Sequence, residues 1–581
     1  MLRRLLDLVT GLMPLVYFLI TATDASADYV HQTLAERSGT IMEWHIEDEQ
    51  VKLILEIDQA DQAAFPLTLG KKTETRFLKG TNRQPLKGQV TVLEPRERTL
   101  RFDPNQPAPV DIRGNPMPLP ALSPTVTYAE IVYPLNTTPE QLTLVPPLKP
   151  GKDRADSTIG FIVFHDQIPV TNYWYLSQAE TLNLDWEDPW YSTFENRNLK
   201  RPHQSSVTSY LYVEPYEVRH EIIIRLQDLA PWLGVEMTRN TVLNPQDLKA
   251  IEKKAIQWFT QGPATIIDGA KSQPIVDQVQ FLSVDSRGIS QVLPTGQSQE
   301  AAATILGITL AFPTDGIPDQ VNVEWNLFSD RIQSITARAT DPAGPFPYTL
   351  TPENKTLVWN NFLKNYKLPS VDYLPVNNRI KLPIGTFLGI LGAITTGIWL
   401  YKKRGKTGVK AYQYALPIGC LLLGIITYPL IQLGIGSSAL AIKPLSEEEA
   451  AVIFDYLLGN IYRAMDFREE SDIYDKLAIS LDGELLTEIY LQNQRSMALE
   501  NEGGAIATVK KVEILDVTKD NSSDRKNQLA FRTHWIASGT LQHWGHSHNR
   551  TNEYEAILTL APVEDNWKIT DIELLEESRL Q

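Results

Sequence analysis

Two unbroken apolar runs, 382–401 and 414–433, interrupt an otherwise mixed pattern of hydrophobic and polar residues along this chain. Neither run contains an acidic or basic side chain, and each has the roughly 20 residues that a helix needs to cross a bilayer. Gly385 and Gly389 in the first run have the spacing that permits close approach of a second helix. The pattern predicts a hairpin of two transmembrane helices that anchors the chain in a membrane.

The loop between the two runs, 402–413, is short and basic. Its charged side chains are all bases: Lys402, Lys403, Arg404, Lys406 and Lys410. Because Lys and Arg in short loops favour the cytoplasmic side, we expect this loop in the cytoplasm and both flanking regions on the outer face. Neither run contains the charged residue that ion and proton paths usually carry, so transport through these two helices is not expected.

The first 27 residues have the pattern of an export signal. Arg3 and Arg4 precede a short apolar core, and Ala25-Ser26-Ala27 has the small residues of a cleavage site. The one cysteine, Cys420, lies in the second apolar run, so the soluble regions are expected to fold without disulfides. These features predict a signal peptide over 1–27. They also predict an integral protein of the bacterial inner membrane with both soluble regions in the periplasm.

The region before the hairpin is predicted to be rich in β-strands. β-Branched and aromatic residues cluster or alternate between Pro, Gly and Asn/Asp breaks, which is typical of antiparallel sandwiches. Examples of such segments are 51–57, 125–133, 159–164, 206–213, 220–226, 278–284, 304–312 and 321–328. No clean internal repeat is apparent among them.

One helix stands out in this region. Asn244 is a plausible N-cap and Pro245 suits the first helical turn, so a helix is predicted over 248–261. We place a domain boundary just before it, near residue 240. The prediction is then two β-rich exported domains, 28–240 and 241–379, the second of which carries this helix.

The last region, 445–581, changes from helical to strand periodicity. Ser446 and Glu449 form a capping box at the start of an apolar pattern with helical spacing. Further helices are predicted at about 470–478 and 483–497, and strands at 507–517, 529–542, 552–561 and 566–575. Glu564-Asp565-Asn566 is expected to make the tight turn between the last two strands.

This order of helices followed by a curled antiparallel sheet resembles the NTF2-like superfamily, including its SnoaL-like and Tim44-like branches. The resemblance rests on the strand 509–517, the long strand around Trp535 and the closing stretch 566–572 with Trp567. It covers the last quarter of the chain. It implies an α+β domain with a cone-shaped pocket between sheet and helices. It implies no particular activity, because members include enzymes, ligand binders and interaction modules.

Four of the nine histidines fall close together, at His534, His543, His546 and His548. Imidazole is a common metal ligand, so these residues are the candidate ligands of a Zn²⁺ or Cu²⁺ ion. The spacing matches no established zinc motif, and the alternative is a polar hairpin end in which Trp544 packs and the histidines form hydrogen bonds. No catalytic residues are predicted, no cofactor-binding residues are assigned and no cofactor is predicted beyond such a metal.

The loop 185–191 combines acidic and aromatic side chains. Trp186, Trp190 and Tyr191 would either stack on a sugar or peptide, or close the edge of a sandwich. The net charge of −16 argues against nucleic acid as a partner.

The sequence therefore predicts a multidomain membrane protein with an all-β ectodomain, a two-helix hairpin and a C-terminal NTF2-like domain. Its predicted function is to bind or assemble an envelope protein, or a second copy of itself, at the outer membrane face, without being an enzyme. The alternative is a metal-binding sensor or enzyme centred on the histidines.

Overall fold

A computed structural model of the chain describes three soluble units and an apolar helical pair. The described residues are 33–70, 72–73, 77–81, 83–101, 121–262, 264–285, 288–292, 296, 298–376, 380–404, 410–428, 433–435, 445–468, 470–501, 506–520 and 528–580. The predicted signal peptide, 1–27, lies outside them. The chain is a β-rich multidomain protein in which one helix is long and apolar enough to cross a membrane.

The first unit is a two-sheet sandwich built from twelve strands. They are β1 (Thr40–Ile46), β2 (Gln50–Ile57), β3 (Lys72–Thr73), β4 (Leu78–Lys79), β5 (Gly88–Glu97), β6 (Thr125–Pro134), β7 (Gln141–Leu144), β8 (Ile159–His165), β9 (Ile168–Pro169), β10 (Trp174–Tyr175), β11 (Glu180–Asn183) and β12 (Thr193–Phe194). One sheet has the order β10-β8-β1-β2-β6-β5-β3 with β9 beside β8, and the other has the order β12-β11-β7-β4. Trp44, Leu53, Phe161 and Leu182 lie in the core between them.

The second unit is also a sandwich. Its strands are β13 (Val207–Val213), β14 (Glu217–Arg225), β15 (Val242–Leu243), β16 (Thr265–Ile267), β17 (Ala270–Ser272), β18 (Ile275–Asp285), β19 (Gly288–Val292), β20 (Gln299–Glu300), β21 (Thr304–Pro313), β22 (Gln320–Glu324), β23 (Ile335–Asp341), β24 (Gly344–Leu350) and β25 (Thr356–Asn360). The large sheet runs β19-β18-β21-β14-β13-β23-β24 and the small one β17-β16-β22-β25, with β15 and β20 paired separately.

The predicted helix of this region is confirmed as α1 (Pro245–Gln261). The Asn244 side chain accepts hydrogen bonds from the backbone N–H groups of Gln246 and Asp247, and Asp247 bonds back to the Asn244 N–H. The sheets divide the region before the apolar pair of helices between Phe194 and Val207. The predicted boundary near residue 240 therefore falls inside the second sandwich, because β13 and β14 belong to the same sheet as β18 and β21.

The two sandwiches share one topology. Read from the other edge, six strands of the second large sheet, β24-β23-β13-β14-β21-β18, match β10-β8-β1-β2-β6-β5 in order. The edge strands differ, since β3 precedes β5 in the chain and β19 follows β18. In both sheets the first long strand pairs parallel with a strand late in the unit, β1 with β8 and β13 with β23. The small sheets correspond as well, with β11-β7-β4 matching β25-β22-β16. The region before the apolar pair of helices is thus a structural repeat.

The repeat is visible in sequence once the strands are aligned. Segments 133–144 (YPLNTTPEQLTL) and 312–323 (FPTDGIPDQVNV) share an aromatic-Pro pair, a second Pro, an acid and a Gln at identical spacing. Each Gln donates a hydrogen bond of 2.8 Å across the small sheet to an Asn, Gln141 to Asn183 and Gln320 to Asn360. The expectation of no internal repeat is therefore wrong. The repeat is hidden in the sequence because the segment with α1 lengthens the second unit, so that corresponding strands are not separated by one constant number of residues.

The apolar pair consists of α2 (Ile384–Arg404) and the shorter α3 (Ala415–Thr427). The helices touch at glycines: a Cβ on Gly389 would lie 2.6 Å from the Gly424 Cα, and the Thr386 hydroxyl donates to the Gly424 carbonyl at 3.0 Å. The predicted Gly385/Gly389 face therefore packs on the partner helix within the chain. Strands β26 (Ile380–Leu382) and β27 (Leu433–Ile435) pair antiparallel and bring the two ends of the hairpin together.

The last unit is an α+β domain. Its elements are α4 (Glu447–Ala464), α5 (Glu470–Ser480), α6 (Gly483–Asn501), β28 (Ile506–Asp520), β29 (Leu529–His543), β30 (His546–Val563) and β31 (Asn566–Arg579), with the strands in sequential order in one antiparallel sheet. The predicted Ser446–Glu449 capping box is confirmed, with both hydrogen bonds formed. Phe454, Leu458, Trp535 and Tyr554 fill the space between helices and sheet.

Candidate functional site

The tip of the β29–β30 hairpin is seated on the second sandwich. His543 faces His546 in the strand register, which leaves Trp544 and Gly545 as a two-residue turn with φ of 44° and 77°. Positive φ at both positions is the geometry of a type I′ turn, and it is uncommon for a residue as large as Trp. Trp544 is nevertheless 7% exposed. The surrounding contacts must therefore hold it in this conformation.

Trp544 fills a slot on the outer face of the large sheet of the second sandwich. It packs with Ile223, Leu282 and Ile305. Its indole N–H donates to the Gln280 side chain at 3.2 Å. The floor of the slot is Gly307 in β21, where any side chain would overlap the six-membered ring of Trp544. A glycine inside a strand often marks such a close approach.

Gly545 makes the polar half of this contact. Its N–H donates to the buried Glu221 carboxylate at 2.9 Å, and its carbonyl accepts from the Arg338 guanidinium at 2.5 Å. The Tyr210 ring lies so close that a Cβ at position 545 would overlap it. The Trp544–Gly545 turn is therefore fitted to the second sandwich by shape and by paired hydrogen bonds.

A charged cluster continues this contact toward the linker, residues 361–376, that precedes the apolar helices. Arg219, fully buried, donates to the Gln542 side chain at 2.5 Å and lies near Glu221 and Glu217. Arg468, from the C-terminal domain, pairs with Glu217 at 2.7 Å and with Asp277. Burial raises the pKa of the Glu217 and Glu221 carboxyls, and the arginines partly oppose this. The arrangement satisfies buried charges from both domains at once.

The linker 361–376 holds the two domains together a second time. The backbone of Leu374 accepts from the Trp567 N–H at 2.8 Å, and the Val376 N–H donates to Asp565 at 2.8 Å. Tyr216 stacks on Phe467 with ring centroids 4.1 Å apart. The chain just before the hairpin is therefore an added partner of β31 in the domain that follows the hairpin.

The acidic-aromatic loop lies at the joint between the two sandwiches. Asp188 receives a bidentate pair of hydrogen bonds from Arg225 at 2.5 and 2.6 Å and a third from Arg331 at 2.7 Å. Trp190 is 2% exposed, with the guanidinium of Arg201 4.0 Å and that of Arg225 5.1 Å from its ring centroid. Trp190 is therefore not available to stack on a ligand. It packs, as the second interpretation of this loop predicts, and it does so between the two sandwiches.

Both joints use the same end of the repeat. In the first sandwich the β1–β2 and β8–β9 turns face the second sandwich, where Arg239 pairs with Asp48 and Asp166. In the second sandwich the corresponding β13–β14 and β23–β24 turns border the C-terminal domain, through Glu217 and Asp341. The three units thus follow one another head to tail. One apolar cluster, which includes both Trp190 and Trp544, links them.

The predicted metal ligands occupy different parts of the hairpin. The strand register places His543 opposite His546, and His548 opposite Leu541, at the docked tip. His534 lies nine residues earlier on β29, about 30 Å at the rise of a strand, and its Nε2 is 2.7 Å from Glu553. Within the described residues no group of three or more metal-ligating side chains converges. The zinc or copper site at these four histidines remains a prediction.

A cavity of about 460 Å³ lies where the C-terminal domain meets the second sandwich. Its walls come from the β13–β14 turn, the linker, the turn after α4 and the edge strand β28. Asp466 is partly buried here. Loss of water raises its pKa to about 7, although Lys510 and Arg463 oppose the shift. The NTF2-like resemblance implied a pocket inside the domain, whereas this cavity lies at its border.

Asp466→Asn is expected to flatten the dependence of stability on pH. The pKa in the folded protein, about 7, exceeds the ordinary value of 3.8. The folded state therefore holds more protons between these values, and wild-type stability falls as pH rises from about 4 to 7. The unfolding temperature of the variant, scanned over this window by calorimetry, should lose that part of the slope. Asp475→Asn, on the exposed face of α5, is the control and should retain it.

Comparisons with known proteins assign no family to this chain. No family model matches it, and no curated protein does. Twenty chains of solved structures match, among them the intermembrane space region of the chloroplast protein ARC6. That similarity has 18% identity and a TM-score of 0.18, and it covers 23% of this chain and 98% of the other.

Proposed function

We propose that this protein is a membrane-anchored scaffold of the cell envelope, which holds three docked soluble domains on one membrane face to bind a protein partner or a second copy. The observation that carries the proposal is the Trp544–Gly545 contact. The domains that precede and follow the apolar hairpin touch directly, so both must lie on the same side of any membrane that the hairpin enters.

The hairpin itself supports an anchor. Phe387 and Leu391 on α2 and Leu422 on α3 are each more than half exposed, which is unfavourable in water and suits a lipid environment. Pairing of β26 with β27 returns the chain to the side it came from. The bases Lys402, Lys403 and Arg404 lie at the far end of α2, where a cytoplasmic surface would place them.

The rest of the proposal follows from the rigidity of the body. Repeated sandwiches fixed head to tail, with buried ion pairs at the joints, suit a protein that sets distances and presents surfaces. The helix-then-sheet order of 445–581 supports its predicted resemblance to NTF2-like domains, many of which bind partners through the same fold. An envelope location and a periplasmic face for the soluble domains are part of this proposal.

A cysteine-accessibility experiment tests the topology. In a Cys420→Ser background, single cysteines replace Glu353 in the second sandwich, Lys511 in the C-terminal domain and Lys406 in the basic loop. A membrane-impermeant maleimide applied to bacterial spheroplasts should label positions 353 and 511 without lysis and position 406 only after lysis. Glu353 and Lys511 are both exposed, so lack of reagent access on the folded surface would not explain a negative result.

Labelling of positions 353 and 511 from opposite sides would contradict the proposal, because the Trp544 contact could not then form. Labelling of all three positions only after lysis would place the soluble domains in the cytoplasm. Recovery of the protein in the soluble fraction, rather than the membrane fraction, of lysed spheroplasts would refute the membrane anchor.

A further inference from the structure

The cavity between the second sandwich and the C-terminal domain is walled by a carboxylate and aromatic rings. Asp466 lines it together with Tyr216, Tyr366 and Phe467. The Asp466 charge reaches both tyrosines, since it helps to raise their hydroxyl pKa values. These side chains come from three separate segments: the β13–β14 turn, the linker and the turn after α4. Docking of the domains is what assembles them.

Asp466 has an incomplete set of partners. Among the described residues its carboxylate accepts no hydrogen bond and forms no ion pair, and its environment is shaped by burial and by more distant charges. A carboxylate deprived of water and left without a donor is unstable unless it is protonated or paired. The cavity beside it is large enough for a small molecule, within the usual range of roughly 300–1,000 Å³.

The charges around the cavity favour a cation. The lining carries equal numbers of acids and bases: Glu214, Glu217, Asp341 and Asp466 face Arg219, Arg463, Arg468 and Lys510. Arg219 and Arg468 are already committed to the buried acids. Arg463 and Lys510 are exposed, so water screens their charge. An incoming cation therefore finds an unpaired acid, and an incoming anion finds only solvated bases.

Aromatic rings complete the chemistry. The face of an aromatic ring attracts an ammonium group, and the attraction is stronger where both are shielded from water. A carboxylate beside such rings adds a charge-assisted contact. We infer that this cavity binds an organic ammonium group, primary or quaternary, which pairs with Asp466 beside the rings of Tyr216 and Tyr366. The inference depends on the docked arrangement of the domains and is independent of which side of a membrane they occupy.

Calorimetric titration of the full chain in detergent tests this at pH 8, with tetramethylammonium and n-butylammonium as probes. Both should bind, whereas tert-butanol and butyrate, which are neutral and anionic counterparts of similar size, should not. Asp466→Asn should weaken binding of the cations about 10- to 100-fold, the range expected for loss of a charge-assisted contact. Because tetramethylammonium keeps its charge at every pH, its affinity should fall as pH drops below about 7 and Asp466 takes up a proton.

Two further variants distinguish loss of the Asp466 contact from loss of binding through misfolding. Lys510→Gln removes a competing base and should tighten cation binding at pH 8, a change that a damaged fold would not produce. Asp475→Asn should leave binding unchanged. Tight binding of butyrate, equal cation affinity in Asp466→Asn and wild type, or absence of cation binding at millimolar concentrations would each overturn the inference. None of these outcomes bears on the topology labelling.

Discussion

Trp544→Ala is expected to release the C-terminal domain from the second sandwich. The side chain is 7% exposed and fills a slot between Ile223, Leu282 and Ile305. Truncating a buried Trp typically costs about 3–5 kcal/mol, and aromatic anchors of this kind dominate the energy of an interface. The turn would lose the contacts that hold Trp544 at positive φ, so relief of that strain would recover part of the loss.

Hydrogen exchange measures this release directly. The Gly545 N–H donates to buried Glu221, so its protection reports docking. Mass spectrometry of peptides that span the turn should show faster exchange in Trp544→Ala than in wild type. Trp174→Ala is the matched control: Trp174 is 46% exposed on the edge of the first sandwich, and its loss should change neither exchange nor stability by more than about 0.5 kcal/mol. Unchanged protection at Gly545 in Trp544→Ala would show that the turn is not the anchor.

The floor of the slot gives the reciprocal experiment. Gly307→Val would overlap the Trp544 ring and should also displace the turn. In a Trp544→Ala background the same substitution meets empty space, so its cost should shrink. A double-mutant cycle that shows additive effects would mean that the two positions do not interact. Strong coupling is expected, since the two residues are in direct contact.

Local chemistry made parts of this fold predictable. Asn244 with Asp247, and Ser446 with Glu449, signalled two helix starts because a cap satisfies backbone groups within three residues. The hydrophobic pattern switches to a period of two residues in the C-terminal region. That switch predicted the strands on either side of the turn at Glu564 and Asp565. These features depend on neighbours in sequence, which periodicity and capping rules can detect.

The candidate sites depend on contacts that such rules cannot detect. Gln280 and Trp544 are 264 residues apart, and the alternative of a polar hairpin end predicts that Trp544 packs without indicating against which residues. Gly307, in the middle of the apolar segment 304–312, was the available signal, since a strand glycine often marks close approach of another group. Asp466 gave no signal, because its environment exists only when two domains and the linker meet.

The repeat was missed for a related reason. Residues 133–144 and 312–323 match at a fixed offset, but the segment with α1 changes the offset between the preceding strand pairs. The repeat also explains the location of both joints. The same end of each sandwich faces the next domain, through Asp48 and Asp166 in the first and through Glu217 and Asp341 in the second.

Asp188→Asn is expected to destabilise the joint between the two sandwiches strongly. Asp188 and Arg225 are both almost fully buried, and the carboxylate receives three charge-assisted hydrogen bonds from Arg225 and Arg331. Removing one partner of a buried ion pair leaves an uncompensated charge and typically costs about 3–5 kcal/mol. Trp190, beside the Arg225 guanidinium, would lose its fixed neighbour as well.

Unfolding monitored by calorimetry should show the first sandwich melting separately from the rest in Asp188→Asn, because the joint no longer couples the two units. The triple variant Asp188→Leu/Arg225→Met/Asp228→Asn should recover much of the loss. It removes the buried charges together, including that of Asp228, which pairs with Arg225 at 3.5 Å. Asp48→Asn is the matched control at the same joint. Asp48 is 56% exposed where it pairs with Arg239, so its loss should cost less than about 1 kcal/mol. Equal effects of Asp188→Asn and Asp48→Asn would mean that the joint is held by shape alone, with the buried ion pair adding nothing.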